Sequence, residues 1–371
     1  MATFLEALQH KTKIAPALLK QAGVSAIGVG YASPDRPSRG AAVTVYMQKA
    51  MPTTALSGTV KALTGGGIPI RIIRSEPFRR HAEAAPSPLL VHQKKGRLSQ
   101  SRIRPVPAGA SIGTFGPPTT GTGGLVVTKN GALYLLSNNH VLVKANSPAY
   151  SETVQPGPAD GGEKGVGRIG QAFEYVPLNP GGVNFMDAAI ASPLKESLLN
   201  PRYLVSGTGR LATVPGYLNS FGIGEQFVKF GRTTGFASGT VESINVDVEI
   251  GPYGELNNAV LLFRNQTVIA GQAAVSLPGD SGGVWLRQSD RYAAALNFAG
   301  SGNRSISTPI AAVMQAFGVQ VAVPAAGRAF KRGKAKGAVG SANYRFTRTL
   351  TTKQRKQVRV VRVKRRRRGP K

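Results

Sequence analysis

Residues 276–286 read SLPGDSGGVWL, with Ser281 standing between glycines just before an apolar run. A serine hydroxyl is a poor nucleophile at neutral pH unless a neighbouring base takes its proton. Two other segments supply candidate partners. LLSNNHVLV (135–143) places His140 at the end of a strand, and NFMDAAIA (184–191) places Asp187 just before an apolar run. An imidazole, with an ordinary pKa of ~6.5, suits proton exchange near neutrality. A carboxylate on its far ring nitrogen fixes the tautomer and stabilises the imidazolium that forms. The glycines permit a tight turn that aims two N–H groups at a developing oxyanion.

The pentapeptide GDSGG also satisfies the G-x-S-x-G expression of α/β-hydrolases, so the pattern alone is ambiguous. Chain order separates the two. An α/β-hydrolase needs its histidine after the serine, whereas His10, His81, His92 and His140 all precede Ser281. The order here is His, Asp, Ser.

With those residues in hand, the stretch from about 108 to 320 resembles a chymotrypsin-fold (trypsin-like) serine peptidase of bacterial type. NNHVL is similar to the histidine motif of the bacterial high-temperature-requirement proteases, MDAAIA to the aspartate motif, and PGDSGG to the serine motif of trypsin-like enzymes. GRTTG (231–235) and SGTV (238–241) are similar to a segment of bacterial trypsin-like proteins. The resemblance implies two successive six-stranded barrels with Ser281 as nucleophile, His140 as general base and acid, and Asp187 as its orienter. It also implies an oxyanion hole from the backbone N–H groups of Gly279 and Ser281, and no cofactor or metal. The residue six before the nucleophile, Val275, would sit at the base of the substrate pocket, with Asn297, Phe298, Ala299 and Gly300 lining it. That set favours a small or apolar side chain before the cleaved bond. The chain departs from the resemblance in having no recognisable PDZ domain and no cysteine.

Outside the motifs, the texture agrees with a mainly β fold. GGLVVTK (123–129), Asn130-Gly131 and ALYLLS (132–137) form a hairpin signal, because Asn-Gly suits a type I′ turn. Short apolar runs recur at FVKFG, SGTVESINVDVEI, NAVLLF, GGVWLR and YAAALNFA, the pattern of a barrel or sandwich. A helix over 308–317 closes this domain. Asp280 reads as a structural residue, Arg232 as part of a hairpin, and Asp160 as a turn residue.

The formal charge of +30 is uneven along the 371 residues. Residues 1–105 hold 16 basic and 4 acidic residues, 106–322 hold 13 of each, and 323–371 hold 18 basic and none acidic. The composition shifts divide the chain into a small α+β module (1–80), a linker (81–107), the peptidase-like domain (108–322) and a basic disordered tail (323–371). In the module, apolar periodicity predicts a helix over 2–22, strands at 25–32, 41–47 and 68–74, and a short helix from Thr53 to Leu63. The linker carries Lys94, Lys95, Arg97, Arg102 and Arg104, which are expected to be open to cleavage. In the tail, the cationic run Lys364, Arg365, Arg366, Arg367, Arg368 could hold a nucleic acid or an anionic surface by counterion release. No stretch approaches the ~18 consecutive apolar residues of a spanning helix. The N-terminus shows no basic region followed by an apolar one, so a cytoplasmic protein is expected. The sequence therefore points to a serine endopeptidase acting on proteins or peptides. The alternatives are a silent or self-processing peptidase-like protein, cut near 94–104, whose basic flanks bind a polyanion.

Overall fold

The computed structural model describes residues 1–51, 67–80, 97–144, 146–324 and 345–364. Helix α1 (Phe4–Leu18) precedes strands β1 (Val24–Tyr31), β2 (Ala41–Gln48), β3 (Ile70–Ser75) and the two-residue β4 (Arg79–Arg80). Next come β5 (Val106–Ala108), β6 (Ser111–Thr114), β7 (Thr119–Thr122), β8 (Leu125–Lys129), β9 (Ala132–Ser137) and a one-turn helix α2 (Asn139–Leu142). Strands β10 (Glu152–Val154), β11 (Arg168–Tyr175) and β13 (Ala189–Pro193) complete the first half, the two-residue β12 (Val183–Asn184) between them pairs parallel with a strand of the second, and β14 (Leu199–Leu204) and β15 (Leu211–Thr213) lead out of it. The second half contains β16 (Gln226–Gly231), β17 (Gly235–Tyr253), β18 (Ala259–Ala270), β19 (Val284–Arg287), β20 (Ala293–Gly300) and β21 (Arg304–Pro309). Helix α3 (Ile310–Phe317), β22 (Gln320–Val321), helix α4 (Thr352–Gln357) and β23 (Val361–Arg362) end the described chain.

Each half closes on itself. In the second, the order β18-β21-β20-β19-β16-β17 returns to its start because β17 also pairs with β18. In the first, the order β8-β9-β13-β11-β10-β6-β7 closes differently. β7 and β8 are one stretch of chain bent at Gly123–Gly124, so its first part pairs with β6 and its second with β9. Two six-membered rings result, as the resemblance implied. Closure removes exposed sheet edges, which short strands could not otherwise protect. The β8–β9 hairpin forms with Lys129 opposite Ala132. Asn130 and Gly131 have φ of 51° and 81°, as a type I′ turn requires.

The N-terminal strands do not form a separate module. β1 pairs antiparallel with β17, β2 antiparallel with β1, and β3 parallel to β2, so the second barrel's sheet continues into them. All eight residues of β1 are buried, and such a strand needs neighbours at both edges. Helix α1 lies against β1 and β2, opened by a capping box between Thr3 and Glu6. Lys11, on its buried face, pairs with Asp247 of β17 at 2.6 Å. The helix expected from Thr53 to Leu63 lies outside the described residues.

Two other expectations are corrected. Residues 97–107 are not a free linker: Arg97 donates to the Thr233 carbonyl, the Arg104 guanidinium to Gln155, and β5 pairs with β14. Nor are residues 345–364 a disordered tail. Thr347 N–H donates to the Phe221 carbonyl on the second barrel, whereas β23 pairs with β11 on the first, so the segment straps both. Buried Leu350 and Val363 anchor it. The apolar residues interleaved with arginine in this stretch suit a half-covered strand, a signal that its charge concealed.

The bend at Gly124 has no room for a side chain. A Cβ there would lie 2.3 Å from the Gly282 carbonyl oxygen and 3.0 Å from Val284 Cγ2. Gly124→Ala is therefore expected to cost ~2 kcal/mol or more in urea unfolding. An unchanged midpoint would show that the bend tolerates a shift.

Candidate active site

The seam between the barrels gathers the motif residues. Asp187, in the loop between β12 and β13, is fully buried. Its Oδ2 lies 2.6 Å from His140 Nδ1, and its Oδ1 accepts the His140 backbone N–H at 3.3 Å. His140 sits on α2, whose one turn is fixed by the two asparagines before it. Asn138 Nδ2 donates to the Asp187 carbonyl at 2.7 Å, and Asn139 Nδ2 donates to the Val176 carbonyl at 2.8 Å. Burial alone would raise the Asp187 carboxyl. The His140 imidazole beside it, its two hydrogen bonds and the Arg80 guanidinium outweigh that and hold it below the ordinary carboxylate value. From the second barrel, Tyr253 donates its hydroxyl to Asp187 Oδ2 at 3.3 Å. Burial, reinforced by the Asp187 charge, pushes that phenol well above its ordinary value, so it remains a donor.

Ser281 reaches the same seam on the loop between β18 and β19. Thr122 N–H donates to the Ser281 carbonyl at 2.7 Å, and Thr122 Oγ1 donates to the Gly279 carbonyl at 2.8 Å. Gly279 has φ of 95°, a conformation that strains any residue with a side chain. Among the described residues, the N–H groups of Gly279 and Ser281 donate to no protein acceptor. Ser281 Oγ donates to the Phe298 carbonyl at 3.3 Å, and among the described residues the buried His140 Nε2 has no hydrogen-bond partner.

Asp280 holds this loop, as its structural reading anticipated. Its Oδ1 accepts the N–H groups of Thr233 and Thr234 and its Oδ2 that of Leu277, all at 3.0 Å. Lys229 Nζ stands 3.5 Å away, and both side chains are wholly buried. Burial pushes the Lys229 ammonium down, against the pull of Asp280. The 231–235 hairpin is thus the clamp on the serine loop. Arg232 in it pairs with Asp160 at 2.5 Å, so that turn residue is also an anchor.

The other residues proposed from sequence are spread more widely. Asn297 is fully buried and structural: it accepts from Ser276 Oγ at 3.0 Å and Ser305 Oγ at 2.7 Å, and donates to the Asp280 carbonyl at 3.0 Å. Val275 is buried and lines a cavity of about 1000 Å³ that includes none of His140, Asp187 and Ser281. Phe298, Ala299 and Gly300 belong to β20, with Phe298 beside Ser281. Lys364 is exposed two residues past β23, and residues 365–368 lie outside the described residues.

Sequence reading missed Tyr253, Lys229, Thr122 and Arg80. An Arg or Lys in an otherwise β-patterned run was a usable signal for Lys229, whereas nothing local marks Tyr253.

No protein-family model matches this sequence, and no curated protein does. Similar solved structures include a glutamic acid-specific serine protease, at 23% identity and a TM-score of 0.43, covering 58% of this chain and 100% of that one. Thermobifida fusca protease A has 19% identity and a TM-score of 0.42, covering 59% of this chain and 100% of its own. Nocardiopsis protease has 18% identity and a TM-score of 0.43, covering 58% and 99% respectively.

The buried Lys229–Asp280 pair yields a direct test. Lys229→Met leaves a buried carboxylate without its cation and is expected to cost ~3–5 kcal/mol in chemical denaturation. Adding Asp280→Asn recovers part of the loss, since the amide oxygen still accepts the Thr233 and Thr234 N–H groups. Equal stability of Lys229→Met and wild type would refute the pairing.

Proposed function

We propose that the protein is a serine endopeptidase that hydrolyses peptide bonds through an acyl-enzyme intermediate. The observation that carries this reading is the buried Asp187–His140 pair at the seam, whose Nε2 has no partner among the described residues, while Ser281 sits there on a glycine-bounded turn. In the proposed reaction Ser281 Oγ attacks the carbonyl carbon while His140 Nε2 takes its proton. Asp187 keeps the Nδ1–H tautomer and stabilises the imidazolium without accepting its proton. The N–H groups of Gly279 and Ser281 stabilise the tetrahedral oxyanion. His140 then protonates the leaving amine, and water, deprotonated by the same nitrogen, hydrolyses the ester.

In the resting arrangement Ser281 Oγ is engaged with Phe298 rather than with His140. A substrate N–H competing for the Phe298 carbonyl would release the hydroxyl toward Nε2, which is why catalytic hydrogen bonds tighten only in the substrate complex. A polypeptide substrate is favoured by the edge of β20, since Ala299 and Gly300 pair there with an extended segment, β4. That occupancy also supports a second reading, in which the full chain is latent or processes itself.

Labelling by a fluorophosphonate probe tests the reading. The wild-type chain, or its processed form, is expected to label, and Ser281→Ala and His140→Ala to lose labelling. Peptide hydrolysis in either variant should fall by about 10⁴-fold or more. Labelling that survives Ser281→Ala would overturn the assignment.

A further inference from the structure

Strand β4 lies antiparallel to β20, with Arg80 opposite Ala299 and Arg79 opposite Gly300. On β20 the residue after Ala299 in the direction of the nucleophile is Phe298, whose carbonyl accepts Ser281 Oγ. The chain of β4 therefore runs toward Ser281, and Arg80 sits one residue short of the position that faces it. The Arg80 side chain is held specifically. Its guanidinium carbon stands 4.7 Å from the centroid of the Tyr253 ring, and its Nη1 donates to Glu255 Oε1. The Arg80 side chain is only 10% exposed and that of Glu255 16%. Upstream, Phe78 is buried and meets Tyr46 edge-on at 5.4 Å, which fixes the register of the segment.

Both recognising groups come from the tip of the second barrel's long hairpin. Tyr253 is the last residue of β17, and Glu255 lies in the turn before β18. A flat aromatic face and a carboxylate at right distance suit a planar, delocalised cation better than any neutral side chain, and better than the point charge of lysine. Tyr253 also contacts Asp187, so this pocket adjoins the candidate triad directly.

We propose that Tyr253 and Glu255 form an arginine-recognising subsite of the cleft, filled in the resting chain by Arg80. Resting on the endopeptidase reading above, the inference assigns a substrate class: polypeptides with arginine at the second residue before the cleaved bond. β4 is then a substrate-like strand, and the N-terminal sheet that carries it competes with substrate for β20. Glu255 is a specificity-determining residue and takes no part in the bond-breaking step. The stretch around β4, PFRRHAEAAP (77–86), is the chain's own sequence with arginine in this register.

The test uses the full chain carrying Arg80→Ala, to vacate the subsite, and Ser281→Ala, to prevent cleavage. Two fluorescein-labelled decapeptides serve as probes, PFRRHAEAAP and PFRAHAEAAP, with binding read by fluorescence anisotropy. The arginine peptide is expected to bind at least ~10-fold more tightly, the scale of one charge-assisted hydrogen bond. Adding Glu255→Gln should bring the two affinities within about threefold while leaving the alanine peptide's unchanged, as loss of one such contact requires. Equal affinities, selectivity that survives Glu255→Gln, or no binding of either peptide would overturn the proposal. Fluorophosphonate labelling of the same chain with Ser281 restored reports separately on the endopeptidase reading. Selective binding without labelling would leave the subsite standing and remove the enzyme. Labelling without selectivity would do the reverse.

Discussion

A carboxylate wholly removed from water must be surrounded by donors, and Asp187 sets that requirement at the seam of two barrels. The first barrel answers with the imidazole and backbone N–H of His140, and the second with the hydroxyl of Tyr253. Donors from both barrels thus meet on one carboxylate, which ties the two halves together at the seam and holds the Nδ1–H tautomer of His140. The serine loop is set by a second buried carboxylate one residue from the nucleophile. Asp280 collects three backbone N–H groups and the Lys229 ammonium, and thereby ties the 231–235 hairpin to Ser281. Two buried charges thus position the histidine and the serine independently.

The long β17–β18 hairpin links this site to the rest of the chain. Along its length β17 pairs with β16, β18 and β1, so the N-terminal strands are built on the same element that carries Tyr253. Lys11 locks helix α1 to that element through Asp247. β4 follows from the same sheet and reaches the edge of β20 beside Ser281. The pairing of β4 with β20 is therefore a consequence of how the N-terminal sheet is anchored. The strap formed by residues 345–364 spans both barrels from outside and adds a further tie between them.

Much of this was legible in the residues. His140, Asp187 and Ser281 stood out because their chemistry demands particular neighbours, glycines and chain order. The Asn130-Gly131 hairpin formed as expected because its turn needs two positive φ values, which these residues accept readily. The rest escaped for physical reasons. Tyr253 lies 66 residues from Asp187, and Arg80 lies 175 from Glu255, so only the folded topology brings each pair together. The division at residue 80 followed the order of expected elements and the Pro-, Ser- and Lys/Arg-rich stretch after them, whereas strand pairing follows burial, and the fully buried β1 was the contrary signal. In 345–364, arginines masked the apolar residues that hold the segment to the barrels.

Asp187 and His140 share a strong, buried hydrogen bond at the seam. Proton NMR of the full chain tests it directly, because a short carboxylate–imidazole contact shifts the bridging Nδ1 proton far downfield of the amide region. The structure predicts one such resonance, present in Ser281→Ala and absent from Asp187→Asn. A spectrum with no downfield imidazole proton, or one unchanged by Asp187→Asn, would contradict it.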